Sequence, residues 1–148
     1  MTTTRTVNRH EASLAISQLM PSILRGVQLD FFINRKITQT QLLVLMAIHG
    51  HGRCCMGTLA ENLHVRMPTA TGIVGRLVRS GFVHRFPCAE DRRQVLVELT
   101  PKGREFIYAF QSVIRRRWEE VLRLLNPQEL AAFHHAIQRL HTQMQPRS

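Results

Sequence analysis

Between Glu11 and Ile33 apolar residues recur at helical spacing. Ala12, Ile16, Leu19 and Ile23 make one stripe, and Met20, Leu24, Val27 and Phe31 make a second that overlaps it. A helix apolar over so wide an arc needs neighbours on two sides. Pro21 removes a backbone donor and predicts a kink or break near Met20. Thr38-Gln39-Thr40-Gln41 reads as a capping box, with Leu42, Leu45 and Ile48 following at helical spacing until Gly50 and Gly52. A short apolar piece around Cys54 precedes a helix carrying Leu59, Ala60 and Leu63. After a turn at His64 to Arg66, Pro68 sits in the first turn of a helix that runs to Ser80 and stops at Gly81.

The period then changes. Val83 to Phe86 reads as a strand, and Val95, Val97 and Leu99 alternate with more polar neighbours as a second, with a polar turn from Pro87 to Arg92 between them. Thr100-Pro101 caps a long helix bearing Ile107, Phe110, Ile114, Trp118, Val121 and Leu125. Asn126-Pro127-Gln128-Glu129 opens a last helix whose Leu130, Phe133, Ile137, Leu140 and Met144 have the three-and-four spacing of helix-to-helix packing. The fold class is therefore mainly α with a small β-wing.

Two short helices joined by a tight turn and backed by a hairpin make a winged helix-turn-helix, whose second helix can enter a DNA major groove. On the helix from Met67 to Ser80, Ala70, Ile73, Val74, Leu77 and Val78 share one arc. Thr69, Gly72, Gly75, Arg76 and Arg79 share the other. Each exposed helical glycine costs about 1 kcal/mol relative to alanine, and close approach to a groove floor gives two of them a reason. Arg76 can pair bidentately with guanine, and Thr69 and Thr71 can reach base edges or phosphates. The alternative is a solvated helix face. In the turn, Arg92 and Arg93 stand beside Asp91, a carboxylate able to fix one guanidinium before it enters a minor groove. A plain surface hairpin with a salt bridge is the competing account.

Composition agrees with this reading. Twenty Lys+Arg against ten Asp+Glu leave a net charge of +10 over 148 residues, which attracts nucleic acid or an anionic membrane surface. The longest apolar run, Leu42 to Ile48, is far short of the roughly 20 residues needed to span a bilayer. The N-terminus lacks the apolar stretch of a secretory signal, and three cysteines suit a reducing cytoplasm. No Gly-rich phosphate loop, nucleophile–base motif or carboxylate cluster points to an enzyme.

The segments Leu59-Ala60-Glu61-Asn62-Leu63, Pro68-Thr69-Ala70-Thr71-Gly72-Ile73-Val74, Arg76-Leu77, Gly81-Phe82-Val83, Asp91-Arg92-Arg93 and Leu99-Thr100-Pro101-Lys102-Gly103 resemble the MarR family of bacterial regulators. The likeness is specific from about Thr38 to Arg104. It implies a single domain over residues 1–148, with dimerisation helices at 10–36 and 101–144 and the winged helix-turn-helix at 38–100. It further implies a homodimer on a pseudo-palindromic double-stranded DNA operator, acting as a repressor that a ligand releases. By position, Arg93 matches the wing arginine of the minor groove and Asp91 its orienting carboxylate, while Thr69, Thr71 and Arg76 match recognition-helix positions. Arg66 departs from the pattern, standing where the family has a capping Ser or Thr, so it is assigned to a phosphate instead. Gly75 replaces a larger polar residue, and both changes bear on operator preference. The expected DNA-binding set is Arg66, Thr69, Thr71, Gly72, Arg76, Arg79, Arg92 and Arg93.

Small aromatic or phenolic effectors are implied by the same resemblance, with Phe31, Phe32, Met46 and Ile114 as candidate pocket residues; the alternative is that they are core. Cys54, Cys55 and Cys88 are candidates for redox sensing if the piece around Cys54 joins the wing sheet, against the alternative of small buried hydrophobes. His49, His51, His134 and His135 lack a companion set with ligand spacing, so no metal or cofactor is expected. Arg115-Arg116-Arg117 reads as a solvated helix face. The rival to DNA regulation is a winged module that binds only protein.

Overall fold

The computed structural model describes residues 6–32 and 37–144, with the side chains at 28–30 and 32 left aside. Six helices and three short strands follow in the order α1 (Arg9–Phe32), α2 (Gln39–His51), β1 (Cys54–Cys55), α3 (Met56–Asn62), α4 (Met67–Arg79), β2 (Val83–Pro87), β3 (Val95–Leu99), α5 (Pro101–Leu122) and α6 (Pro127–Met144). The described residues fall into two compact units, one within Gln28–Ser112 and the other within Met1–Val27 and Val113–Ser148.

In the first unit the strands form an antiparallel sheet in the order β1-β3-β2. Val83 pairs with Leu99 and Pro87 with Val95, while Cys54 and Cys55 pair with Val97 and Leu96 on the other side of β3. The apolar piece around Cys54 thus joins the sheet. Its core collects Leu42, Leu45 and Ile48 of α2, Leu59 of α3, Ala70, Val74 and Leu77 of α4, and Val83, Val97 and Leu99 of the sheet, all buried. Phe31 meets Phe106 and Phe110 edge-on, with ring centroids 5.0 and 5.1 Å apart, and Phe82 meets Phe106 at 5.3 Å. Such pairs add about 0.5–1.5 kcal/mol beyond the area they bury.

The helix starts follow the local signals. Thr38 accepts from the Gln41 amide at 3.2 Å while the Gln41 side chain accepts from the Thr38 amide at 2.9 Å, completing the capping box. Asn126 accepts from the amides of Gln128 and Glu129, both at 3.0 Å, and Glu129 reaches back to the Asn126 amide at 2.9 Å. Pro21 does not break α1, which continues unbroken as a 24-residue helix. Proline removes a single i→i−4 bond, and the bonds on either side carry the helix past it.

In the second unit α6 has no buried residue, and Leu130, Ile137, Leu140 and Met144 are exposed along it. Leu14, Ile16, Leu19 and Leu24 of α1 are exposed as well, although Ile23 and Val27 are buried. Arg117 departs from the solvated triplet expected of Arg115 to Arg117. It bonds Glu120 at 2.8 Å and lies only partly exposed, its guanidinium filling the space that a Cβ on Gly26 would need. Among the described residues no helix is long and apolar enough to cross a membrane.

Candidate nucleic-acid interface

The turn between α3 and α4 is tight because Val65 N–H bonds the Ala60 carbonyl and His64 N–H the Glu61 carbonyl, at 3.1 and 3.0 Å. His64 takes the left-handed conformation there, with φ 52°. The turn presents α4 with Ala70, Ile73, Val74 and Leu77 buried and Thr69, Thr71, Gly72, Arg76 and Arg79 exposed. Arg66 occupies the N-cap without a side-chain cap bond, and it too is exposed. A Cβ on Gly72 would meet open space. The fold of this chain therefore does not require glycine there.

The opposite end of α4 is held by the start of α5. Gly81, with φ 77°, turns the chain in a conformation that suits glycine. The Phe82 amide bonds the Leu77 carbonyl at 2.9 Å, and the Thr100 amide bonds the Phe82 carbonyl at 3.0 Å. The Thr100 hydroxyl donates to the Gly81 carbonyl at 2.6 Å and accepts from the Gly103 amide at 3.0 Å. Lys102 Nζ donates to the Ser80 carbonyl at 2.8 Å and lies over the Phe82 ring. Gly103 is required sterically, because a Cβ there would collide with the Phe82 carbonyl oxygen. These bonds fix the angle at which α4 leaves the sheet.

Beyond Pro87 and Val95 the hairpin continues as a polar wing tip. Cys88 N–H bonds the Gln94 carbonyl and Gln94 N–H the Asp91 carbonyl, each at 2.9 Å. Asp91 does not hold a guanidinium as expected. Its carboxylate accepts from the Arg93 backbone amide at 3.0 Å and from the Gln94 side chain at 3.4 Å. The competing bond is two residues away along the chain and needs no long side chain to be ordered. Asp91 thus shapes the wing backbone, and Arg92 and Arg93 stand exposed with no carboxylate bonded to their guanidinium groups among the described residues.

Met67 and Thr71 of α4, Arg85 of β2, Arg93 to Val95 of the wing and Cys55 to Gly57 line a cleft of about 500 Å³. Arg85 is absent from the expected set. Its alternation with Val83 and its pairing opposite Val97 place it where an apolar residue is expected, and an exposed arginine in that register was the available signal.

The three cysteines are free, and they do not gather. Cys88 follows β2 and Cys54 and Cys55 form β1, on opposite sides of β3. Cys54 is buried, and burial followed by the charge of Cys55 pushes its thiol up. Cys55 caps α3: its sulfur lies 3.0 Å from the Thr58 hydroxyl and accepts the Thr58 amide at 3.4 Å. Those two bonds, the hydroxyl first, hold its thiol below the usual cysteine range.

The pocket residues also disperse. Phe31 is core, at 1% exposure among Phe106 and Phe110. Met46 is exposed, Ile114 is half-buried in the other unit, and Phe32 lies outside the described side chains. A cavity of about 760 Å³ lies elsewhere, lined by Ile37, Arg79, Phe82, Lys102, Phe106 and Ala109 among others.

Residues 37–95 match the model of the MarR family. The chain belongs to the MarR family. It is 31% identical over 101 residues to YfiV, an uncharacterized HTH-type transcriptional regulator of Bacillus subtilis, covering 68% of this chain and 63% of that protein. It is 30% identical over 105 residues to the HTH-type transcriptional repressor NicR of Pseudomonas putida, covering 71% and 66%. The chain thus spans just under two thirds of the length of these curated relatives. Rv1404 from Mycobacterium tuberculosis shares the fold at a TM-score of 0.75 and 24% identity, over 96% of this chain and 99% of that one. The winged-helix architecture therefore holds across almost the whole chain, whereas the family match lies on the segment that carries α2, α3, α4 and the wing.

Proposed function

We propose that this MarR-family protein is a sequence-specific regulator of transcription that binds double-stranded DNA as a homodimer, and that it has no catalytic role. The observation that carries the reading is the exposed face from Arg66 to Arg79 together with the wing tip. Arg66, Arg76, Arg79, Arg92 and Arg93 are all exposed there, and none of their guanidinium groups is bonded to a carboxylate among the described residues. In the bound state α4 lies in the major groove, with Thr69, Thr71 and Arg76 at base edges, Gly72 allowing close approach, and Arg66 and Arg79 at phosphates. Arg92 and Arg93 reach the adjacent minor groove on a backbone shaped by Asp91.

Dimerisation is supported by α6, which leaves Leu130, Ile137, Leu140 and Met144 uncovered, and by the exposed apolar residues of α1. A second copy of the chain is the partner such a surface fits. The domain is read as a single MarR-like domain acting on a pseudo-palindromic operator in the cytoplasm. Repression is read from the likeness to NicR, a repressor by name. Release by a small aromatic or phenolic effector completes the reading. Its seat is better placed in the cavity of Phe82, Phe106, Arg79 and Lys102, where aromatic rings meet cations, than at Phe31. Filling that cavity by Ala109→Trp should abolish the effector response and spare DNA binding.

Selection of bound sequences from random duplex DNA tests the central claim. The expected result is an inverted repeat with half-sites about one helical turn apart. No enriched sequence would favour a module that binds protein instead. Arg93→Ala should weaken binding to every operator variant alike and reduce its salt dependence; unchanged affinity at moderate salt would refute the wing assignment.

A further inference from the structure

Gly72 and Gly75 both lie on the side of α4 that faces away from the core, but the space above them differs. A Cβ on Gly72 would meet nothing within 4 Å, whereas a Cβ on Gly75 would lie 3.7 Å from Nη1 of Arg79. Long side chains on a helix lean toward its N-terminus, over the residue four positions earlier. Arg79 does so here: its guanidinium rests against the bare backbone at Gly75, about one turn ahead of its own Cα. Arg79 also borders the cavity of Phe82, Lys102 and Glu105. Its guanidinium nonetheless makes no hydrogen bond or ion pair among the described residues, with Glu105 or any other carboxylate.

We propose that Gly75 is a positioning residue: by carrying no side chain it lets Arg79 lie along α4, which aims the guanidinium at its backbone phosphate. The assignment rests on the DNA-binding reading and deepens it, since it says how the phosphate contact of Arg79 is prepared. The two glycines then have different jobs. Gly72 leaves open space for the groove floor, and Gly75 leaves a seat for a side chain of its own helix. A guanidinium already laid against the helix gives up less rotamer freedom on binding than one extended in solvent. Its planar fork then offers paired donors to two phosphate oxygens. A long side chain at position 75 would occupy the seat and drive Arg79 off the helix. A methyl group would not, because 3.7 Å is an ordinary van der Waals contact.

The test measures affinity for random-sequence duplex between about 50 and 200 mM salt, in variants that stay folded by circular dichroism. Arg79→Ala should shrink the log–log salt slope by about 0.9, the share of one phosphate. Gly75→Leu should shrink it by the same amount, and adding Arg79→Ala to Gly75→Leu should change the slope no further. Gly75→Ala should keep the parental slope. A second readout follows Arg79 itself by phenylglyoxal labelling and peptide mass mapping. Bound duplex should slow its labelling several-fold in the parent and in Gly75→Ala, but not in Gly75→Leu. A parental slope in Gly75→Leu, independent losses in the double variant, or equal protection of Arg79 in all three proteins would overturn the proposal. Each of those results would leave the regulator reading standing. Failure of the parent protein to retain any duplex would remove both.

Discussion

At its C-terminal end α4 is closed from several directions. Ser80, Gly81 and Phe82 amides return to the carbonyls of Arg76, Val78 and Leu77, and Lys102 covers the Ser80 carbonyl. At its N-terminal end Arg66 supplies no cap, Pro68 has no amide hydrogen to donate, and Met67 is exposed. The closed end adjoins α5 and the sheet. The open end belongs to the face assigned to DNA, where the first turn of a recognition helix meets base edges and phosphates. Hydrogen bonds are thus concentrated at the C-terminal end of α4, and no side chain caps the N-terminal end.

Substitutions at the two ends should therefore separate stability from binding. The largest effect is expected at the closed end. Gly103→Ala drives a Cβ into the Phe82 carbonyl and should lower unfolding free energy by about 1–3 kcal/mol or more. Denaturant titration measures this, and duplex affinity per folded molecule should barely change. Arg66→Ala, at the open end, should do the reverse, weakening binding to every duplex and shrinking the log–log salt slope by about 0.9 while altering stability by less than about 0.5 kcal/mol. If it destabilised the fold as much as Gly103→Ala, the two ends would not be separable in this way.

Gly72→Ala sharpens the contrast, since a Cβ there has free space in the unbound protein. It should raise stability by about 1 kcal/mol through helix propensity and weaken operator binding by crowding the groove floor. Improved stability with unchanged binding would remove the close approach. The smallest effect is at the cap of α3. Thr58→Val deletes the hydroxyl that does most to hold the Cys55 thiol low, so the thiolate appears only at higher pH. The midpoint of the Cys55 alkylation profile should move upward, with duplex affinity unaltered.

Much of the fold is legible in the sequence because its helix and turn signals are local. Thr38 with Gln41, Gly81, Thr100 and Asn126 each act within a few residues, and each does in the structure what its neighbours imply. Relations between distant segments are less legible. The separation of Cys88 from Cys54 follows from the sheet order β1-β3-β2, which the strands do not encode singly. The role of Asp91 turned on a competition between a guanidinium and a nearby amide, and spacing alone does not decide it. Phe31 carries the same apolar signal whether it lines a pocket or fills a core, and the rings of Phe106 and Phe110 decide for core. Arg85 is hidden differently, since its register opposite the buried Val97 calls for an apolar residue.

The two-residue strand β1 gives β3 a partner on each side, at Cys54 and Cys55 on one and from Val83 to Pro87 on the other. In deuterium exchange, amides near Leu96 and Val97 should be among the last to exchange, whereas that of Arg92 should exchange early. The wing would then behave as a stiff lever with a soft tip, clamped at its root to the segment that leads into α3. A torque applied at the tip by DNA would be felt first at Cys54, within the helix-turn-helix itself.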